Sequence, residues 1–194
     1  MYAEILKRSF DPYFNAPLEA WSDFASLCES VRFEKNQTIK KADAVERYFY
    51  FILKGSAGLF LWKEHNFVCL DFAFDWQFCG DYMSLLTKAP TPLEVTALEQ
   101  SEMLRISREN FYKLGTMPVG QIIFRISAES SFVEKQQQQI DLLTKSAAER
   151  YEILEARFPG ISLRIAQKHI ASYLGITPQS LSRLRRRRTL ITKG

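Results

Sequence analysis

The sequence predicts an α+β protein: an N-terminal antiparallel β jelly roll, a long helix that pairs two copies, and a C-terminal helix-turn-helix. Three observations predict it. Between about residues 31 and 107, short runs rich in Phe, Tyr, Val and Leu are separated by Gly, Asp, Asn and Pro. From Val119 the apolar spacing changes to alternating threes and fours. Near the end, two short helical patterns meet at a glycine and run into four arginines. The chain therefore divides into a barrel over residues 1–118, a dimerisation helix over 119–144 and a helix-turn-helix unit over 145–194.

Taken in order, "PLEAWSDFASLCES" reads as a helix ahead of the barrel. The strand runs include "ERYFYFILKGSAGLFLWKE", "FVCLDFAF" and "LEVTALEQSEMLRIS", a density of short strands that suits a closed barrel or jelly roll. Gly55 and Gly58 interrupt two of these runs, where glycine marks a bend or a close backbone approach.

Val119, Ile122, Ile126, Glu129, Val133, Gln136, Ile140 and Leu143 occupy the seam positions of a coiled coil, with Glu129 and Gln136 as polar layers that fix register. This predicts a parallel homodimer, with Phe124 and Phe132 on a neighbouring face left to pack on the barrel. Ser146 and Glu149 then form a capping box that opens a further helix, stopped by Pro159 and Gly160.

"IASYLGITPQSLSRLRRRR" splits into a helix from about Gln167 to Leu174, a turn at Gly175, and a second helix capped by Thr177 with Pro178 at its first position. Ile170, Ala171, Leu174, Ile176, Leu181 and Leu184 supply an inner contact. Gln179, Ser180, Arg183 and Arg186 share the outer face, because residues three and four apart are neighbours on a helix. Gln can read adenine and Arg guanine through paired hydrogen bonds. Lys168, His169, the amides around Thr177, and Arg185, Arg186, Arg187 and Arg188 suit phosphates. Duplex DNA is the expected partner, since the absence of Phe, Tyr or Trp after Tyr173 removes the stacking surfaces that single strands use.

Charge supports this reading. Residues 1–144 hold 15 Lys and Arg against 19 Asp and Glu, a net of −4, whereas residues 145–194 hold 11 against 3, a net of +8. A positive excess confined to one small unit is the footprint of a polyanion-binding surface.

The stretch from Ile170 to Arg186 resembles the recognition motif of the Crp/Fnr transcriptional regulators, commonly I-A-x-x-L-G-I-T-x-E-S-L/V-S-R. "FILKGSAGLF" is similar to a barrel strand of that family, and "CGDYMSLL…PLEVTALE" to its ligand-binding cassette. The resemblance covers essentially the whole chain. It implies a cyclic nucleotide-binding-domain-like jelly roll (a double-stranded β-helix), a winged-helix-like DNA-binding unit, and duplex DNA and RNA polymerase as partners. Gln179 stands where the family usually has Glu, and Arg183 falls on its base-reading Arg.

Two departures qualify the resemblance. The family's cassette carries a G-E pair followed by P-R-S/T-A, whereas here Gly80 is followed by Asp81, and Thr91 and Pro92 stand where Arg and Ser/Thr are expected. A buried phosphate without a cation loses its strongest contact, so the sequence argues against cAMP and cGMP. It leaves a pocket at Gly80, Asp81, Thr91 and Pro92 to another small-molecule effector or to none. In addition, only "TLITKG" follows the arginines, too short for a complete wing hairpin.

Other classes fit less well. A metal-holding barrel enzyme needs several histidines, and the chain has two. His65 reads as a surface loop residue and His169 as phosphate-facing or solvated. Cys28, Cys69 and Cys79 show no C-x-x-C spacing and read as buried or partly buried free thiols. No cofactor, metal site or catalytic residue is expected. The longest apolar run, Tyr48 to Leu53, is far too short to span a bilayer and the start lacks a secretory signal, so a cytoplasmic protein is expected. The competing reading is a dimeric sensing or scaffold module whose helix-turn-helix no longer reads DNA specifically.

Overall fold

Each β-sheet carries large apolar residues on both of its faces, and much of the architecture follows from covering them. The structure, a computed structural model, describes residues 1–63 and 66–191, side chains excepted at 187–191. His65 and the side chains of Arg187 and Arg188 thus lie outside the described residues.

Two helices, α1 (Tyr2–Phe10) and α2 (Leu18–Ser26), precede the strands. The first was not expected from sequence, and Cys28 to Ser30, read as the end of a helix, begin a strand instead. The strands are β1 (Cys28–Phe33), β2 (Thr38–Lys40), β3 (Tyr48–Lys54), β4 (Ser56–Lys63), β5 (Asn66–Phe74), β6 (Phe78–Cys79), β7 (Leu93–Ala97) and β8 (Ser101–Ser107). They form two antiparallel four-stranded sheets, ordered β1-β8-β3-β6 and β2-β7-β4-β5. Gly55, at φ +114°, makes the bend between β3 and β4, and a side chain on Gly58 would run into the Phe60 ring.

The strand period of two sends alternate residues to opposite faces. Between the sheets lie Phe33, Tyr50, Ile52, Ala57, Val95, Ala97 and Met103. Phe51, Leu104 and Ile106 point out of the first sheet and meet Leu6, Trp21, Phe24, Phe111 and Ile123 from the helices. Those helices include α4 (Arg108–Gly115) and the first half of the 27-residue α5 (Pro118–Thr144). Phe60, Phe72 and Phe74 point out of the second sheet and are covered by α6 (Ala147–Arg157), α7 (Ile161–Arg164) and α8 (Gln167–Tyr173). The last helix, α9 (Pro178–Ile191), lies against α8.

The C-terminal unit shares its core with the barrel. Tyr151, Leu154, Phe158, Ile161, Ile165, Ile170, Ala171, Leu174 and Leu181 join the outward phenylalanines of β4 and β5 in a single cluster. The capping box forms as expected: the Ser146 hydroxyl accepts from the Glu149 amide, and the Glu149 carboxylate accepts from the Ser146 amide. No helix among the described residues is long and apolar enough to cross a membrane.

Along α5 the seam residues separate into two groups. Val119 is buried against the helical layer of the first sheet, which removes it from any surface seam, and Ile122 and Ile126 are half-buried. Beyond Ser127 the helix leaves the helical layer of the first sheet, touching β5 through the Lys135–Asp71 ion pair, and Glu129, Val133, Gln136, Ile140 and Leu143 are exposed, Leu143 to 78%. Phe124 packs on the barrel side, its ring stacked on Phe111 at 4.4 Å. Phe132 does not. It is 68% exposed, because α5 has already left the helical layer when it reaches that position.

Candidate nucleic-acid interface

The turn between α8 and α9 is built as the sequence requires. Gly175 adopts φ +66°, the left-handed conformation that glycine reaches at no steric cost, and its amide bonds to Ser172 O. The Thr177 hydroxyl accepts from the Ser180 amide at 3.1 Å and so caps α9. Leu181 is fully buried beneath α9, which fixes the rotation of that helix. Gln167 ties the pair together by donating to Pro178 O at 2.8 Å.

That rotation leaves Gln179, Arg183 and Arg186 exposed in one row, with Ser180 half-exposed beside them. The Ser180 hydroxyl accepts from Arg183 at 3.1 Å and from Thr177 at 3.0 Å, which aims the guanidinium along the helix. Lys168 is exposed at the start of α8. The row offers paired donors and acceptors on a helix narrow enough to enter a major groove.

Of the expected phosphate ligands, His169 is placed elsewhere and Arg185 is partly covered. His169 is buried rather than solvated: its ring lies 5.1 Å from that of Phe60 and 5.3 Å from that of Phe67, because α8 presents this side to the sheet. Burial, and then the neighbouring Lys168 charge, push its pKa down to about 4. Arg185 is half-buried on the inner side of α9, where its charge acts on Tyr151 of α6. Burial and the bond that Tyr151 donates to Glu155 push the phenol up to about 12, against that charge. In the segment read as too short for a complete wing, Thr189 to Ile191 continue α9.

The cassette region of the barrel contains a cation that sequence reading missed. Lys40, at the end of β2, reaches Asp81 Oδ2 at 2.8 Å, Thr91 Oγ1 at 3.0 Å, Thr91 O at 3.3 Å and Leu93 O at 2.7 Å. Asp81 also accepts from the Thr91 hydroxyl and caps α3 (Tyr82–Thr87) through the Ser84 amide. Burial raises the Asp81 pKa, but the bonds from Lys40, Thr91 and Ser84 outweigh it and leave the carboxyl below the usual carboxylate range. Beside it, buried Glu46 accepts from the Arg47, Tyr48 and Asp81 amides, with its pKa raised by burial against those bonds. Gly80 adjoins Glu46, while Pro92 faces solvent. Asp81 and Thr91 are therefore brought together, yet bonded to each other and to Lys40. The first of two adjacent lysines in "TIKK" carries no signal of this role.

Residues 30–116 match the cyclic nucleotide-binding domain family. No curated protein matches the chain by sequence. Solved structures with the same fold include CLP of Xanthomonas campestris, a c-di-GMP-responsive global regulator, at a TM-score of 0.70 and 13% identity over 91% of this chain and 93% of that one. FixK2 from Bradyrhizobium japonicum matches at 0.69 and 19%, with 86% of each chain covered. A CooA mutant from Carboxydothermus hydrogenoformans matches at 0.70 and 15%, with 96% of this chain and 84% of that one covered. At these identities the likeness shows the fold: a cyclic nucleotide-binding jelly roll continued by a long helix and C-terminal helices, as in Crp/Fnr structures.

Proposed function

We propose that the protein is a DNA-binding transcription regulator of the Crp/Fnr type, a homodimer that reads a palindromic site with α9 in the major groove. The observation that carries this reading is the row of Gln179, Arg183 and Arg186, outward-facing on a capped helix whose opposite side is anchored by Leu181. The exposed apolar residues of α5, Phe132, Val133, Ile140, Leu142 and Leu143, support pairing with a second copy, which would place two such rows symmetrically. Half-sites then lie about one helical turn, ~34–36 Å, apart. RNA polymerase is the partner that the family resemblance implies.

The barrel site favours a regulator that responds to neither cAMP nor cGMP. The Lys40 ammonium, with three hydrogens, already faces four acceptors, so a nucleotide phosphate would have to break an internal ion pair to gain a charge-assisted contact. Selecting bound duplexes from a random pool with the purified protein tests the reading. A two-fold symmetric motif is expected, whereas random recovery at every salt concentration, with or without metabolite extract, would overturn it.

A further inference from the structure

We propose that the barrel aims the DNA-reading helix: Arg164 and Ser172 are positioning residues that clamp the C-terminal unit to β5 and so set the separation of two α9 helices across a dimer. The inference rests on the reading under Proposed function and concerns residues to which that reading gives no role.

Arg164, at the end of α7, is held by three separate parts of the barrel. Its guanidinium meets Glu99 at 2.8 Å, Asp75 at 2.8 Å and Gly55 O at 3.0 Å, and lies over the Phe74 ring at 4.8 Å. A planar fork with five donors suits divergent acceptors and a ring face together, which a lysine cannot match. Ser172, on α8, engages the open edge of the second sheet. Its hydroxyl accepts from Cys69 N at 2.9 Å and donates to Phe67 O at 3.0 Å, satisfying two outward backbone groups of β5. Phe158 against Phe74 at 4.6 Å fills the space between these two anchors.

Two anchors on successive helices fix a rigid body. α9 follows α8 because Leu181 is buried between them, Gln167 bonds to Pro178 O, and Arg150 bonds to Leu174 O at 2.8 Å. The direction of α9 is thus set by β5 together with the turns that carry Gly55, Asp75 and Glu99. The clamp leaves Gln179, Arg183 and Arg186 uncovered, so it orients the reading face and does not hide it. On a palindrome the second half-site gains only if the two helices are held at the right span, since that gain depends on effective concentration. A loosened unit keeps its half-site contacts and loses that gain.

The test uses the full-length protein and two duplexes, the selected palindrome and the same sequence with one half-site scrambled. Hydrogen exchange at the Cys69 amide reports the clamp directly. Arg164→Ala with Ser172→Ala, and separately Asp75→Asn with Glu99→Gln on the barrel side, should speed exchange at Cys69. Each pair should also lower palindrome affinity at least ~10-fold with half-site affinity kept within about 2-fold. Arg164→Lys should recover only part of the loss. Equal losses on both duplexes would reduce these residues to a structural role, and faster exchange with an unchanged ratio, or a rise in palindrome affinity, would likewise overturn the proposal. A wild-type protein that selects no motif overturns the reading beneath it, while a motif-selecting protein with an unaltered ratio overturns the clamp alone.

Discussion

Lys40 and Asp81 form an ion pair at 2.8 Å with side chains only 3% and 0% exposed, joining the end of β2 to the start of α3. Removing one partner of such a pair strands the other charge, which costs about 3–5 kcal/mol, whereas replacing both with apolar groups is often close to neutral. Lys40→Met should therefore destabilise the fold by about 3–5 kcal/mol, and Lys40→Met with Asp81→Leu by clearly less. Urea unfolding of these variants and of Asp81→Leu alone decides the matter, and additive losses would show that the residues are not coupled.

The same pair predicts that cAMP and cGMP leave the protein unaffected. Thermal unfolding at millimolar nucleotide should match that of the free protein, because a ligand stabilises only in proportion to its binding to the folded state. A concentration-dependent rise in Tm would mean that Lys40 can leave Asp81 for a phosphate.

His169 supplies a pH dependence. Its pKa, about 4 in the folded state, lies below the usual value of about 6.5, so between these values the unfolded chain binds a proton that the folded chain does not. Stability through this residue is complete above pH ~6.5 and falls as the pH drops toward 4, by on the order of 3 kcal/mol. His169→Phe should flatten that window of the stability profile. A variant profile parallel to that of the wild type would place the acid sensitivity of this window elsewhere.

Val133 is 66% exposed, so a charge there is compatible with the folded monomer. Val133→Asp should give a folded species of half the mass in sedimentation. A mass unchanged from wild type would move the contact between copies off α5.

On DNA, Arg183→Ala should cost about 1–3 kcal/mol and relax preference at one base pair, whereas Lys168→Ala should weaken all duplexes alike and reduce the salt slope by about 1. Binding curves on matched and random duplexes at several salt concentrations separate the two roles. Equal losses on both duplexes for Arg183→Ala would contradict base reading.

The parts legible in the sequence are those set by local rules. The turn at Gly175, the cap at Thr177, the Ser146–Glu149 box and the inner positions Ile170, Ala171, Leu174 and Leu181 follow from spacing alone. What escaped depends on contacts far apart in the chain. His169 looks like any polar residue of an exposed helix until β4 and β5 are laid against it. The +8 of the last fifty residues also divides in a way no sum reveals: Arg150, Arg157 and Arg164 turn inward to Leu174 O, to Asp71 and Glu134, and to Glu99 and Asp75. The seven-residue interval between them is visible in the sequence, but its partners are not. Val119 fits a heptad as well as Val133 does, and only the helical layer of the first sheet tells them apart.

The cover that Ser172 gives to β5 has a further consequence. A strand edge with free amide and carbonyl groups, flanked by Phe60, Phe72 and Phe74, is a template on which another polypeptide can add a strand. The C-terminal helices hold that template shut, so the barrel is kept from self-association by the unit it carries. Residues 1–144 prepared alone should therefore aggregate through β5, which light scattering against the full chain would read.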